Sequence, residues 1–147
     1  MILRLSTCTL FSLVFLTCLV GCGSSNPQGR LPIEGTVRLN DKPINSGSIS
    51  FVSVPEASVK ISTGAVIQDG KYSIPRDQGL PVGDYIVRFF ASEDTGQIDK
   101  NTNAPLFKEM FPPKYNTASQ EKISVTKDKK TFVFDFNIAV KDEDFRR

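Results

Sequence analysis

The sequence contains no histidine and no tryptophan, and its three cysteines, Cys8, Cys18 and Cys22, all fall within the first 22 of 147 residues. Losing histidine removes the commonest general base and the commonest ligand for zinc, copper and non-haem iron. With no thiol after residue 22, the body of the chain has no basis for Cys-His or Ser-His nucleophilic catalysis or for a thiolate metal site. No disulfide can cross-link that body, so its stability must come from an ordinary hydrophobic core. Without tryptophan, a sugar-stacking platform would rest on Tyr72, Tyr85 and Tyr115. Excess charge is scarce too. Beyond residue 21 there are 17 Lys and Arg against 16 Asp and Glu, a formal charge of +1, so nothing steers the protein to nucleic acid. The densest basic stretch, Lys127-Asp128-Lys129-Lys130, contains its own acid and is read as a solvated hairpin turn. No metal or cofactor is expected.

What is present begins at the N-terminus. Arg4 precedes an apolar run over residues 5–20, and the run ends in Leu19-Val20-Gly21-Cys22. This is the basic start, apolar middle and small-residue exit of a secretory signal. The run is shorter than the about 20 apolar residues that span a bilayer. Its last four residues resemble the lipobox of bacterial lipoproteins. That resemblance implies removal of residues 1–21 as a signal peptide and lipidation of Cys22, with diacylglycerol on the thiol and an acyl chain such as palmitate on the new amine. It also implies attachment to the membrane of the cell envelope on the extracytoplasmic side. Gly23 stands where an aspartate marks retention at the inner membrane, which favours the outer membrane. Residues 22–30 then form a small, polar tether reaching about 26 Å when extended, residues 31–140 one domain, and residues 141–147 a frayed, charged tail.

Within the domain the apolar period is two. Ile33, Val37 and Leu39 alternate with polar neighbours before the turn Asn40-Asp41-Lys42-Pro43. Ile49 and Phe51 mark a second strand, residues 59–68 a third, and Asp69-Gly70 a hairpin turn into a fourth over 71–74. Tyr85, Val87, Phe89 and Ala91 share one face of a fifth. Ile123 and Val125, then Phe132, Phe134, Phe136 and Ile138, suggest a closing hairpin. Its last strand is expected to be central, with Phe134 among the most buried residues. Seven short strands between Gly, Pro, Asn and Asp punctuation predict an all-β fold, a single antiparallel seven-stranded β-sandwich.

Ile33-Glu34-Gly35-Thr36-Val37, Lys42-Pro43-Ile44, Gly47-Ser48-Ile49-Ser50-Phe51, Asp69-Gly70-Lys71-Tyr72 and Pro81-Val82-Gly83-Asp84-Tyr85-Ile86-Val87 occur in that order. Together they resemble transthyretin-like, carboxypeptidase-regulatory-like domains. Phe111-Pro112-Pro113-Lys114-Tyr115-Asn116 and Phe132-Val133-Phe134-Asp135-Phe136 are similar to small bacterial lipoproteins built on that domain. The resemblance implies an Ig-like sandwich used as an accessory module. The hydrolase branch of the superfamily relies on histidines, which are absent here.

Two other catalytic patterns fail on their surroundings. Ser119-Gln120-Glu121-Lys122 has S-x-x-K spacing, but Lys130-Thr131 is followed by Phe132 rather than glycine. A lysine–asparagine isopeptide across the first and last strands would use Asn137, yet Arg38 stands where the lysine is needed. The expectation is therefore a non-catalytic, lipid-anchored structural or protein-interaction module, the alternative being a small-ligand or glycan-binding module. Its partner surface is sought in the 31-residue connection 92–122, long for a compact sandwich. Residues 92–103 are polar and expected to be mobile, while residues 105–110 suit a short helix. There Phe107, Met110 and Phe111, with Tyr115, are the candidate contacts with an envelope protein.

Overall fold

The computed structural model describes residues 29–145; Cys22 and the expected signal peptide, residues 1–21, lie outside the described residues. Eleven strands follow one another: β1 (Ile33–Leu39), β2 (Lys42–Pro43), β3 (Ser46–Ser53), β4 (Ser62–Gln68), β5 (Lys71–Ile74), β6 (Gly83–Phe90), β7 (Ser92–Ile98), β8 (Pro105–Glu109), β9 (Lys122–Val125), β10 (Phe132–Val133) and β11 (Phe136–Ile138). Two short 3-10 turns occupy Pro113–Tyr115 and Asp142–Phe145, and no α-helix occurs among the described residues. No helix there is long and apolar enough to cross a membrane. The class is all-β, as the alternation requires, and each of the seven expected regions contains a strand.

Turn chemistry sets the local pairings. Asp69 and Gly70 both have positive φ, 50° and 74°, the conformation a two-residue hairpin needs. A Cβ on Gly70 would stand 2.6 Å from Pro43 Cβ. Asn40 and Asp41, at 49° and 66°, make the equivalent turn from β1 into β2, where Leu39 pairs Lys42. Hydrogen bonds then link the strands in the order β10-β1-β5-β4-β3-β6-β9, with β2 and β11 also on β1.

That order requires curvature. Strands spaced about 4.8 Å apart would put β10 and β9 about 29 Å apart in a flat sheet, whereas the chain from Val125 to Phe132 reaches about 25 Å at most. The sheet therefore curls round its own core. Phe89 of β6 and Phe136 of β11, at opposite ends of the order, meet edge to face with centroids 5.0 Å apart. Ile33, Val37, Ile49, Phe51, Ile67, Val87 and Phe89 are fully enclosed between them. The expected inward face Tyr85, Val87, Phe89 and Ala91 is buried throughout.

The expected closing hairpin does not form. β9 pairs antiparallel with β6, while β10 and β11 pair with β1, in parallel. The last strand lies at an edge and is interrupted at Phe134-Asp135, so Phe134 is only partly buried and Phe132 and Ile138 lie deeper. The interruption has a chemical cause: Asp135 Oδ1 accepts bonds of 2.8 Å from both the Thr36 amide and the Thr36 hydroxyl. A side chain thus replaces a backbone acceptor. Beside it, the Tyr72 hydroxyl donates to the Phe134 carbonyl at 2.9 Å. Gly35 leaves that carbonyl room, since a Cβ there would lie 1.9 Å from its oxygen. Further along, Asn40 exchanges bonds with the Val140 backbone and Asn137 with Asp41. Residues 141–145 are docked rather than frayed: Lys114 pairs with Asp144 at 2.5 Å, and Lys108 lies over the Phe145 ring.

Gly35→Ala should therefore cost about 2 kcal/mol or more through overpacking and the lost Tyr72 bond, and Phe89→Ala about 3–5 kcal/mol. Exposed Val66→Ala should stay within about 0.5 kcal/mol. Urea denaturation midpoints of the three variants test this ranking.

Burial, and secondarily the Asp135 carboxylate, push the Tyr72 phenol well above its ordinary value. The folded protein then holds this proton where the unfolded chain, titrating near pH 10, releases it. The associated stability is complete below about pH 10 and falls as pH rises from there toward the folded value. Tyr72→Phe should flatten that fall, measured by denaturation at a series of pH values from about 8 to about 11.

Candidate functional site

Among the residues expected to act at a surface, the structure separates those that are exposed from those that are not. β7 and β8 do not form a loop and helix. They pair antiparallel as a two-stranded arm, Ser92 opposite Glu109 and Asp94 opposite Phe107. The helix expected over 105–110 is thus a strand, and the mobile stretch 92–103 supplies its partner. Every residue of β7 and the first four of β8 are exposed. Both faces of the arm are wet, which explains why its sequence lacks alternation.

The arm is fastened at both ends. At its base the Glu109 carboxylate accepts the amides of Ala91 and Phe111, each at 3.2 Å, and the Met110 amide donates to the Ala91 carbonyl at 2.8 Å. At the tip, the amides of Asn101 and Thr102 donate to Asp99, each at 2.8 Å; these bonds hold its carboxyl below the usual range. Midway the register shifts between Asp94 and Ile98. Gly96 sits there at φ 68°, and the Thr95 hydroxyl bonds the Leu106 carbonyl at 2.7 Å.

The four candidate contacts divide. Phe107 is 63 % exposed and sits on the arm with Leu106 and Ile98. Phe111 is fully buried against Phe89, centroids 5.6 Å apart, and belongs to the core rather than to a partner surface. Met110 and Tyr115 are half-buried against that core. The aromatic spacing that suggested one helical face therefore spans two environments.

A second concavity went unnoticed in the sequence because it is assembled from separate loops. A cleft of about 660 Å³ is lined by Val54, Val59, Ile61, Pro81, Val82 and Tyr85, with Glu56 and Asp84 at its polar margin. Three of its polar side chains bond within the protein. Ser53 Oγ donates to the Ile61 carbonyl and accepts the Ile61 amide, the Tyr85 hydroxyl donates to the Pro81 carbonyl at 2.8 Å, and Asp84 accepts from Ser124 at 2.6 Å. Burial raises the Tyr85 phenol, Arg30 opposes that rise and Asp84 adds to it.

The catalytic patterns resolve as structural features. The Ser119 hydroxyl is buried and bonds the Val87 carbonyl, while Lys122 is exposed on β9. Arg38 and Asn137 are register partners, and Asn137 is committed to Asp41. Among the described residues, no group of three His, Cys, Asp or Glu side chains is disposed to hold a metal ion.

No family model matches the chain, and no curated protein matches it. Among solved structures, a 9R-lipoxygenase from Cyanothece PCC8801 aligns at 16 % identity with a TM-score of 0.38. The alignment covers 76 % of this chain but only 16 % of the lipoxygenase chain.

Phe107→Ser should change stability by less than about 0.5 kcal/mol, whereas Phe111→Ser should cost about 3–5 kcal/mol. Thermal or urea unfolding of the pair tests the division; equal effects would mean the arm packs on the body.

Proposed function

We propose that this chain is a lipid-anchored, non-catalytic β-domain of the bacterial cell envelope, built as a transthyretin-like sandwich and serving as a structural or protein-interaction module. The observation that carries the reading is Leu19-Val20-Gly21-Cys22 at the end of an apolar run, about ten residues ahead of an independently cored all-β domain. Two or more acyl chains make membrane residence stable where one is marginal. The outer membrane is the favoured location on the strength of Gly23.

The interaction role is supported by the arm. An isolated two-stranded hairpin is marginal in water, yet this one extends from the body with Ile98, Leu106 and Phe107 exposed. Aromatic side chains are favoured at interface cores, so Phe107 is the best-placed contact, with Met110 and Tyr115 at the arm's base. A small-ligand or glycan module has less support, because Ser53, Tyr85 and Asp84 of the cleft bond within the protein.

Cells producing the protein should incorporate labelled palmitate into it, and Cys22→Ser should abolish that label and move the protein out of the membrane fraction. Equal membrane residence of the serine variant would overturn the anchor. Phe107→Ser should keep its anchor and stability while losing envelope proteins captured by the wild type.

A further inference from the structure

The sheet topology gathers particular connections at each end of the domain. β1 and β10 begin, β3 and β5 finish, and β4 and β6 begin at one end, because neighbouring strands alternate in direction along most of the order. β9 finishes there as well. Residues 54–61, 75–82 and 126–131 connect strands at this end. The chain also enters there. Leu31 pairs Leu80, and Arg30 donates to the Gly79 carbonyl at 2.9 Å, next to the cleft wall formed by Pro81 and Val82. The opposite end holds the turns 40–42 and 69–70, the arm and the docked segment 141–145.

Charge and apolar exposure follow the same division. At the entry end the connections carry Arg30, Lys60, Arg76, Lys127, Lys129 and Lys130 against three acids, Glu56, Asp77 and Asp128. Over 40–42, 69–70, 92–118 and 141–145, nine acidic side chains face five basic ones. The entry end also presents Val59, 64 % exposed, and Val82, 47 % exposed, both lining the cleft. Exposed valines on an end whose connections carry more lysine and arginine than acid are the composition of an interfacial membrane contact, although the charged residues that line the cleft itself are Glu56 and Asp84.

We infer that the entry end of the domain, with Val59 and Val82 on the cleft rim and the Lys127–Lys130 turn beside it, rests on the surface of the anionic bilayer that holds its own anchor. The inference rests on the lipid anchor proposed above and adds an orientation and a lipid-contact surface to it. Length supports it: Cys22 is eight residues from Arg30, so the fixed entry point stays within about 26 Å of the anchored cysteine. An anionic surface attracts basic side chains within about a Debye length, about 8 Å at physiological salt. The acidic arm is repelled from the same surface and points outward. Asp84 on the cleft wall accepts a hydrogen bond from Ser124, and the contact with lipid is made by the exposed Val59 and Val82 side chains rather than by the two cleft carboxylates.

The test uses the lipidated protein reconstituted into phosphatidylethanolamine–phosphatidylglycerol vesicles. Val59→Cys, Val82→Cys and, at the far end, Phe107→Cys each take a fluorescent label, the Cys22 thiol being blocked by its lipid. Lipids brominated near the headgroup should quench labels at 59 and 82 strongly and the label at 107 little. A second arm measures partitioning of the unlipidated Cys22→Ser protein onto the same vesicles. Lys127→Gln, Lys129→Gln and Lys130→Gln should weaken it about fivefold each at low salt, with the difference shrinking as salt rises. Acylated protein with equal quenching at both ends, or stronger quenching at 107, overturns the orientation while the anchor stands. Protein recovered without acyl chains on Cys22 overturns the anchor, and the orientation with it.

Discussion

The carbonyl of Phe134 is the point on which closure of the fold depends. It is held by the Tyr72 hydroxyl and sits over the bare Cα of Gly35, so three segments distant in sequence converge on one oxygen. A side chain at residue 35 would push the chain away from β1 and separate β10 from β11. With the contact made, Phe132 and Phe134 stack at 5.7 Å and Phe136 reaches across to Phe89. The curled sheet is then sealed along the edge of its first strand. The hydrogen bond is partly buried, which is why its loss would cost more than a fully exposed bond of the same length.

A curled sheet has two ends, and here they differ in character. One receives the incoming chain between loops that display valine and lysine; the other bears an acidic arm with Phe107 on it. Under the function proposed above, a body of this kind stands between membrane and partner without moving parts. The core supplies rigidity, and specificity resides in loops and arm, the usual division between scaffold and function.

Much of the fold was legible because strands with one dry and one wet face write that difference into a period of two. Ile33, Val37, Phe51, Val87 and Phe89 were readable on this basis, and Asp69-Gly70 announced its turn through the backbone it permits. Parallel attachment of β10 and β11 to β1 was not legible. Alternation states which side of a strand is buried and is silent about which neighbour it bonds and in what direction. The arm escaped for a different reason: with both faces in water, β7 has no alternation to display. Phe107 and Phe111 looked alike as a pair, yet the bonds at Glu109 mark where the chain leaves the arm and re-enters the core. The cleft had no sequence signature, its walls coming from loops more than twenty residues apart.

Register partners in β1 and β11 are 99 residues apart, Val37 against Phe136 and Arg38 against Asn137. Closing so long a loop costs entropy that only late contacts recover, and proteins rich in such pairings fold slowly. As the chain emerges from its N-terminal side, β3 can pair with β4 and β6, and β4 with β5, while one edge of β1 waits for β10 and β11. Until Phe134 arrives, that edge is an open template for other strands. The folding hazard of this protein is therefore an interval in time, set by how quickly β10 and β11 reach the first strand.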